Sequence, residues 1–221
     1  MNKLRRFAII GLIGAALGTM GVVVAPRLAG AADAPSAAAG GEPATFVQSL
    51  GDQAISIITD PSLSKTDRET RFHDMFVSSF DVPAIGRFVL GRYWRTANDA
   101  QRQEFLKLFE DMIVKTYNNR FNQYKGEQFK VTGARADGDS TLVTTNVTQP
   151  NTGAQPVKVD WRVLKESKGL KIVDVIIEGV SMSVTQQQEF GSVIQRNGGQ
   201  IDGLLASMRE RIQLQSQAAR S

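Results

Sequence analysis

Residues 156–177 read PVKVDWRVLKESKGLKIVDVII. Val157, Val159, Trp161 and Val163 alternate with Lys158, Asp160 and Arg162. Val173, Val175 and Ile177 alternate with Asp174, and Glu178 follows. A period of two sends successive side chains to opposite faces of a strand. Ser167-Lys168-Gly169 breaks the pattern at hairpin spacing, so the stretch predicts two antiparallel strands, about Pro156–Lys165 and Leu170–Ile177. One face is apolar and the other wet. Upstream, Gln128–Ala134 and Ser140–Gln149 repeat the pattern, with breaks at Asp137-Gly138 and Asn151-Thr152-Gly153. A four-stranded antiparallel meander follows.

On either side of the sheet the period changes to that of a helix. Phe46, Val47, Leu50, Ala54, Ile57 and Ile58 recur at helical spacing until Asp60-Pro61 stops them. Thr66-x-x-Glu69 reads as a capping box for a helix carrying Phe72, Met75 and Phe76. Asp81, with Pro83 in the first turn, caps a short helix carrying Ile85, Phe88 and Val89. Thr96-x-x-Asp99 opens the longest helix, about Asp99 to Tyr124, whose apolar stripe runs from Phe105 to Phe121. After Gly179, Ser183 or Thr185 caps a helix through Phe190, Val193 and Ile194, which Asn197-Gly198-Gly199 ends. A last helix carries Ile201, Leu204, Leu205, Met208 and Ile212. The order predicts an α+β domain with helices packed on one sheet face.

The first 31 residues read as an export signal. Lys3, Arg5 and Arg6 precede an uncharged run from Phe7 to Pro26, and Ala29-Gly30-Ala31 is a small-x-small cleavage pattern, with the cut placed before Ala32. The run also approaches the length of a membrane span, and Arg5-Arg6 invites a twin-arginine reading. Its Gly/Ala content and the cleavage pattern favour removal and general secretion. Residues 32–42 read as a disordered lead-in, 43–214 as one domain, and 215–221 as a polar tail. The net charge of +4 comes from the leader, because 22 basic and 22 acidic residues follow residue 31. A neutral mature chain lacks the basic excess on which nucleic-acid binding rests.

Chemistry is sparse. The chain has no cysteine and one histidine, His73, which excludes disulfides, thiolate zinc sites and cysteine nucleophiles. No G-x-S-x-G, HExxH, P-loop or G-x-G-x-x-G is present, so His73 reads as structural. Asp137-Gly-Asp139 lacks the downstream ligands of a calcium loop. The carboxylate pairs Glu104 with Asp111 and Asp160 with Asp174 fall on predicted wet faces and read as solvated. No catalytic set, cofactor or metal is expected.

Three stretches carry a resemblance. They are Phe88-Val-Leu-Gly91-Arg-Tyr-Trp94 with Gln101-x-x-x-Phe105-x-x-x-Phe109 and Tyr117; Val157-Lys-Val-Asp-Trp161-Arg-Val; and Lys171-Ile-Val-Asp174-Val-Ile-Ile-Glu178-Gly179-Val-Ser181. Together with the final helices they resemble the MlaC-type periplasmic phospholipid-binding proteins, the toluene-tolerance family, over residues 45–212. Trp161 stands where that family has tyrosine, and Leu170 where it often has tryptophan. The resemblance implies a periplasmic, non-enzymatic carrier that holds phospholipid tails in an apolar cavity between a curved sheet and its helices. It implies a shuttle between an outer-membrane lipoprotein–porin complex and an inner-membrane ABC transporter, maintaining outer-membrane lipid asymmetry. The family includes members associated with hopanoid pathways, so a hopanoid is an alternative cargo.

The candidate cavity lining is the apolar sheet face, Val131, Val143, Val159, Trp161, Val163, Val175 and Ile177, opposed by Phe88, Phe109, Ile113 and Met182. Periodicity fits a filled core equally well, since it does not distinguish a packed face from a cavity wall. A lipid-free envelope adaptor therefore stands beside the carrier, and an enzyme dependent on His73 stands behind both.

Overall fold

A computed structural model describes residues 41–118, 123–150 and 152–218. The proposed leader, most of the lead-in, Phe121 and Asn151 lie outside the described residues. Among those described, five helices precede the sheet: α1 (Glu42–Thr59), α2 (Lys65–Ser79), α3 (Val82–Leu90), α4 (Tyr93–Thr96) and α5 (Asp99–Asn118). The strands β1 (Gln128–Asp137), β2 (Ser140–Thr148), β3 (Val157–Glu166), β4 (Gly169–Ile177) and β5 (Val180–Ser181) follow, then α6 (Met182–Arg196) and α7 (Ile201–Ala218). The α+β class holds.

The sheet is an antiparallel meander in the order β1-β2-β3-β4-β5, with five strands where the alternation predicts four. The added strand is two residues long, too short to show a period. It pairs Ile177 with Val180 across a two-residue turn, Glu178-Gly179. Both turn residues have positive φ, 50° and 84°, the mirror-image geometry that matches strand twist. Glu178 tolerates it because its amide donates to the Lys158 carbonyl at 3.0 Å while its carboxylate accepts from the Lys158 amide at 2.6 Å.

Three helix starts differ from expectation, each by a residue able to bond a free amide. Ser64, not Thr66, caps α2, accepting from the Asp67 amide at 3.1 Å. Asn98 and Gln101 form a reciprocal capping box at α5, each side chain accepting from the other's amide. Thr96 instead closes α4, its hydroxyl donating to the Tyr93 carbonyl. Ser181 caps α6 by accepting from the Val184 amide, so the helix starts ahead of both Ser183 and Thr185. α5 is described as far as Asn118; residues 119–122, which the expected helix also takes in, lie outside the described residues, and Tyr124 itself is not helical. α7 runs to Ala218, into the stretch read as a tail.

Register sorts the inner sheet face into cross-strand rows. One is Phe129–Val147, the next Val131–Thr145–Val159–Ile177, then Ala134–Val143–Trp161–Val175, then Ala136–Thr141–Val163–Ile172. Irregularities at Val131/Gly133 and Arg162/Val163 interrupt the ladders, and such bulges bend a strand. α1 packs on β1 and β2, and α2, α3 and α6 on β4; α5 packs on α2 and α3, and α7 on α5. Phe105, Phe109 and Phe190 stack or meet edge-on within the helical layer. The α2–α3 junction is fixed to β4: the Asp81 amide donates to the Ile172 carbonyl at 3.0 Å, and Lys171 Nζ donates to the carbonyls of Val77 and Ser78.

Candidate functional site

Between the sheet and the helices lies an apolar cavity of about 330 Å³, inside the size range of small-molecule sites. α1 supplies Leu50, Gly51, Ala54, Ile55 and Ile58, and α2 supplies Phe72, Met75 and Phe76. α3 and the residue before its cap supply Phe80, Ile85 and Val89, and α5 supplies Phe109, Ile113 and Tyr117. The sheet contributes Phe129, Val147, Val159, Trp161, Val175 and Ile177, and α6 contributes Met182, Ser183 and Gln186.

Seven of the eleven candidate residues therefore stand in its wall: Phe109, Ile113, Val159, Trp161, Val175, Ile177 and Met182. Four do not. Val163 pairs with Ile172, where the α2–α3 junction is fastened to β4 and fills the space above; both are fully buried in the packed core. Val131 and Val143 lie on the strands that α1 covers, and the Val131 amide donates to the Gln48 side chain of that helix. Phe88 turns away, 46% exposed, while Ile85 and Val89 of the same helix turn inward.

The sequence reading missed the α1 and α2 walls, although Leu50, Ala54 and Ile58 at four-residue steps were the available signal. It missed Phe129 because β1 is an edge strand with weak alternation. It also missed Gly51, whose lack of a side chain makes room for the Phe129 ring: a Cβ there would collide with that ring.

The polar groups of the wall are engaged by the protein. The indole N–H of Trp161 donates to Thr145 Oγ1 at 2.9 Å, and the Thr145 hydroxyl donates to the Val159 carbonyl at 3.1 Å. Asp174 is not solvated, as expected from the sequence, but buried. Its carboxylate accepts from the Ser183 amide and hydroxyl and from the Ser181 hydroxyl, tying β4 to the start of α6. Asp160 is buried too, held by the Thr144 hydroxyl at 2.5 Å and Lys158 Nζ at 3.1 Å. At the other end of the cavity, Glu127 accepts from the Lys125 amide and from Gln149, and Tyr124 donates to the Glu127 carbonyl. Burial and then the neighbouring Glu127 raise the Tyr124 phenol above its ordinary value, so it stays protonated. An occupant therefore meets mostly hydrocarbon and ring faces.

His73 sits outside this wall. Its Nε2 lies 2.6 Å from Glu110 Oε1 and its Nδ1 3.2 Å from Asp74. The Glu110 hydrogen bond, with a smaller part from Asp74, raises its pKa despite partial burial. Among the described residues both of its side-chain partners are carboxylates. Among the described residues, no acid–histidine cluster suits a metal and no helix is long and apolar enough to cross a membrane.

Comparison with known proteins agrees with this architecture. The Haemophilus influenzae intermembrane phospholipid transport system binding protein MlaC is 24% identical over 177 residues, covering 76% of this chain and 81% of that one. The Pseudomonas putida toluene tolerance protein ttg2D is 28% identical over 142 residues, covering 63% of this chain and 65% of that one. A phospholipid-binding protein from Ralstonia solanacearum, solved with a phospholipid, superposes with a TM-score of 0.68 at 24% identity, over 78% of this chain and 98% of that one. It shares the fold. The family model for MlaC protein matches residues 48–210, and this chain belongs to the MlaC family.

Proposed function

We propose that this protein is a soluble periplasmic phospholipid carrier whose cavity shelters acyl chains. The observation that carries the reading is the apolar cavity between sheet and helices, with its polar edges satisfied internally. The named relatives, a phospholipid transport binding protein and a solved phospholipid complex, support it. The binding residues are the seven candidates in the wall together with Phe72, Phe76 and Phe129.

Each methylene removed from water is worth about 0.8 kcal/mol, so a diacyl lipid with roughly thirty of them gains on the order of 20 kcal/mol on leaving water. Such a lipid does not cross an aqueous gap unaided. A cavity about as apolar as a bilayer makes its transfer nearly isoenergetic, hence reversible. Physics asks nothing more of the carrier; it needs no catalytic group. In this reading residues 1–31 are an export signal cleaved near Ala31, and 43–214 form a single lipid-binding domain. The carrier shuttles between an outer-membrane lipoprotein–porin complex and an inner-membrane ABC transporter and so maintains outer-membrane lipid asymmetry.

The test is mass spectrometry of an organic extract from mature protein purified without detergent. Near-stoichiometric phospholipid is the expected result. A hopanoid in its place would reassign the cargo. A clean extract from protein that also takes up no lipid from vesicles would overturn the carrier reading in favour of an adaptor.

A further inference from the structure

Among the described residues four large apolar side chains are exposed: Phe88, Val180, Val184 and Leu214. The first three lie on adjoining elements. Phe88 is on α3, whose carbonyl at that residue accepts from Gln187 of α6 at 2.6 Å. Val184 lies one turn before Gln187, and Val180 immediately precedes the α6 cap, Ser181. Gly91, which ends α3, lies against the same Gln187 side chain.

This end of the molecule is also basic. Arg87, Arg92 and Arg95 are exposed, and no acid lies between Asp81 and Asp99. The arginine–carboxylate pairs among the described residues belong to Arg102, Arg162 and Arg209; Arg87, Arg92 and Arg95 take part in none of them. Arg92 lies over the Tyr93 ring and donates to its hydroxyl, and Tyr93 and Trp94 are half-buried beside it. The nearby acids are occupied: Asp81 caps α3, Asp174 is held by Ser181 and Ser183, Glu178 accepts from the Lys158 amide, and Glu189 faces Gln186.

We infer that this α3–α4–α6 face docks on the surface of an anionic phospholipid bilayer. Phe88, Val180 and Val184 enter the interface while Arg87, Arg92 and Arg95 engage lipid phosphates. A guanidinium fork suits phosphate, and tyrosine and tryptophan suit the headgroup depth. Three separate apolar side chains among unpaired arginines fit a fluid surface. A protein partner would favour a contiguous apolar centre of matching shape. Of these helices, α3 and α6 line the cavity on their inner side through Ile85, Val89, Met182 and Gln186. Docking therefore brings the cavity wall within about one helix diameter, roughly 10 Å, of the bilayer. The inference does not depend on what the cavity holds.

The experiment is co-sedimentation of the mature protein, recovered from cells that export the full chain, with phosphatidylglycerol-containing vesicles and with phosphatidylcholine vesicles. Binding to the anionic vesicles alone, weakening as salt is added, is expected. The triple variant R87Q/R92Q/R95Q and, separately, Phe88→Ser should each weaken it about tenfold or more. Leu214→Ser, on the remaining exposed site, should not. Thermal unfolding confirms that each variant is folded, and the lipid extract reads the cavity independently. Wild-type protein that ignores anionic vesicles at low salt would overturn the inference, as would variants that bind like wild type. Loss of lipid delivery in the triple variant without any vesicle binding would assign the face to an acidic protein partner and overturn it equally.

Discussion

The indole N–H of Trp161 donates to the hydroxyl oxygen of Thr145, a residue with no solvent exposure, across the β2–β3 ladder at 2.9 Å. This bond lets a side chain with a polar edge serve as cavity wall, because its donor is satisfied within the sheet. Thr145→Val keeps the shape and orphans the indole donor. An unsatisfied buried donor costs about 1–3 kcal/mol, so Thr145→Val should lower denaturant stability by that much. Trp161→Phe removes the donor itself. In the double variant the Thr145 substitution should cost less than it does alone, and a double-mutant cycle measures the difference.

Val175 and Val163 share a sheet face but differ in what lies above them. Val175→Trp fills part of the cavity, so extracted lipid should fall while the protein stays folded. Val163→Trp forces bulk into a filled core and should cost about 1–3 kcal/mol or more. If the two variants load lipid equally and unfold at the same denaturant concentration, the cavity boundary drawn between them is wrong.

Gly51→Ala sets two effects against each other. Helix propensity favours alanine by about 0.5–1 kcal/mol, but the added methyl collides with the Phe129 ring. Overpacking of this kind costs about 1–3 kcal/mol, so the collision wins. The ring must move into the cavity or α1 must lift from β1. Lower stability together with reduced lipid content is expected, measured by chemical denaturation and extraction.

His73 links α2 to α5 through Glu110. Its folded pKa is raised above the ordinary 6.5, so the folded state holds its proton more tightly than the unfolded chain. The contribution is fully present below about pH 6.5 and fades as pH rises through the folded value. The stability gap between wild type and His73→Ala should therefore narrow as pH climbs across that window. Denaturant midpoints at several pH values measure it, and a gap that widens with pH would contradict the pairing. Because the side chain is 39% exposed, the effect should be small.

Much of this structure is legible in the sequence. The alternation from Val157 to Ile177 carries strand identity and hairpin order, and the helices follow from three- and four-residue steps, but the irregularity opposite Arg162 and Val163 puts Ile172 on the inner face where the alternation predicts Val173. What periodicity does not carry is height above the sheet. Val143 and Trp161 are cross-strand partners on one face, yet only Trp161 reaches the cavity. That distinction depends on where α1 and the α2–α3 junction cross the sheet. Phe88 fits the helical stripe of Ile85 and Val89 but lies at its margin and turns outward. Caps shift by two residues or more because Ser64, Asn98 and Ser181 compete with neighbours of similar chemistry. The two-residue β5 has no pattern to read.

The cavity wall draws on α1 at one end of the described chain and on α6 near the other, with Asp174 holding the start of α6 against β4. Such a compartment has an assembly order. While the chain is still being made, its early helices present Leu50, Ile58 and Phe76 to a space with no floor and no far side. Only after Gln186 arrives is there an inside. A chain cut short after β4 would therefore leave an open trough of hydrocarbon where the full chain has a compartment.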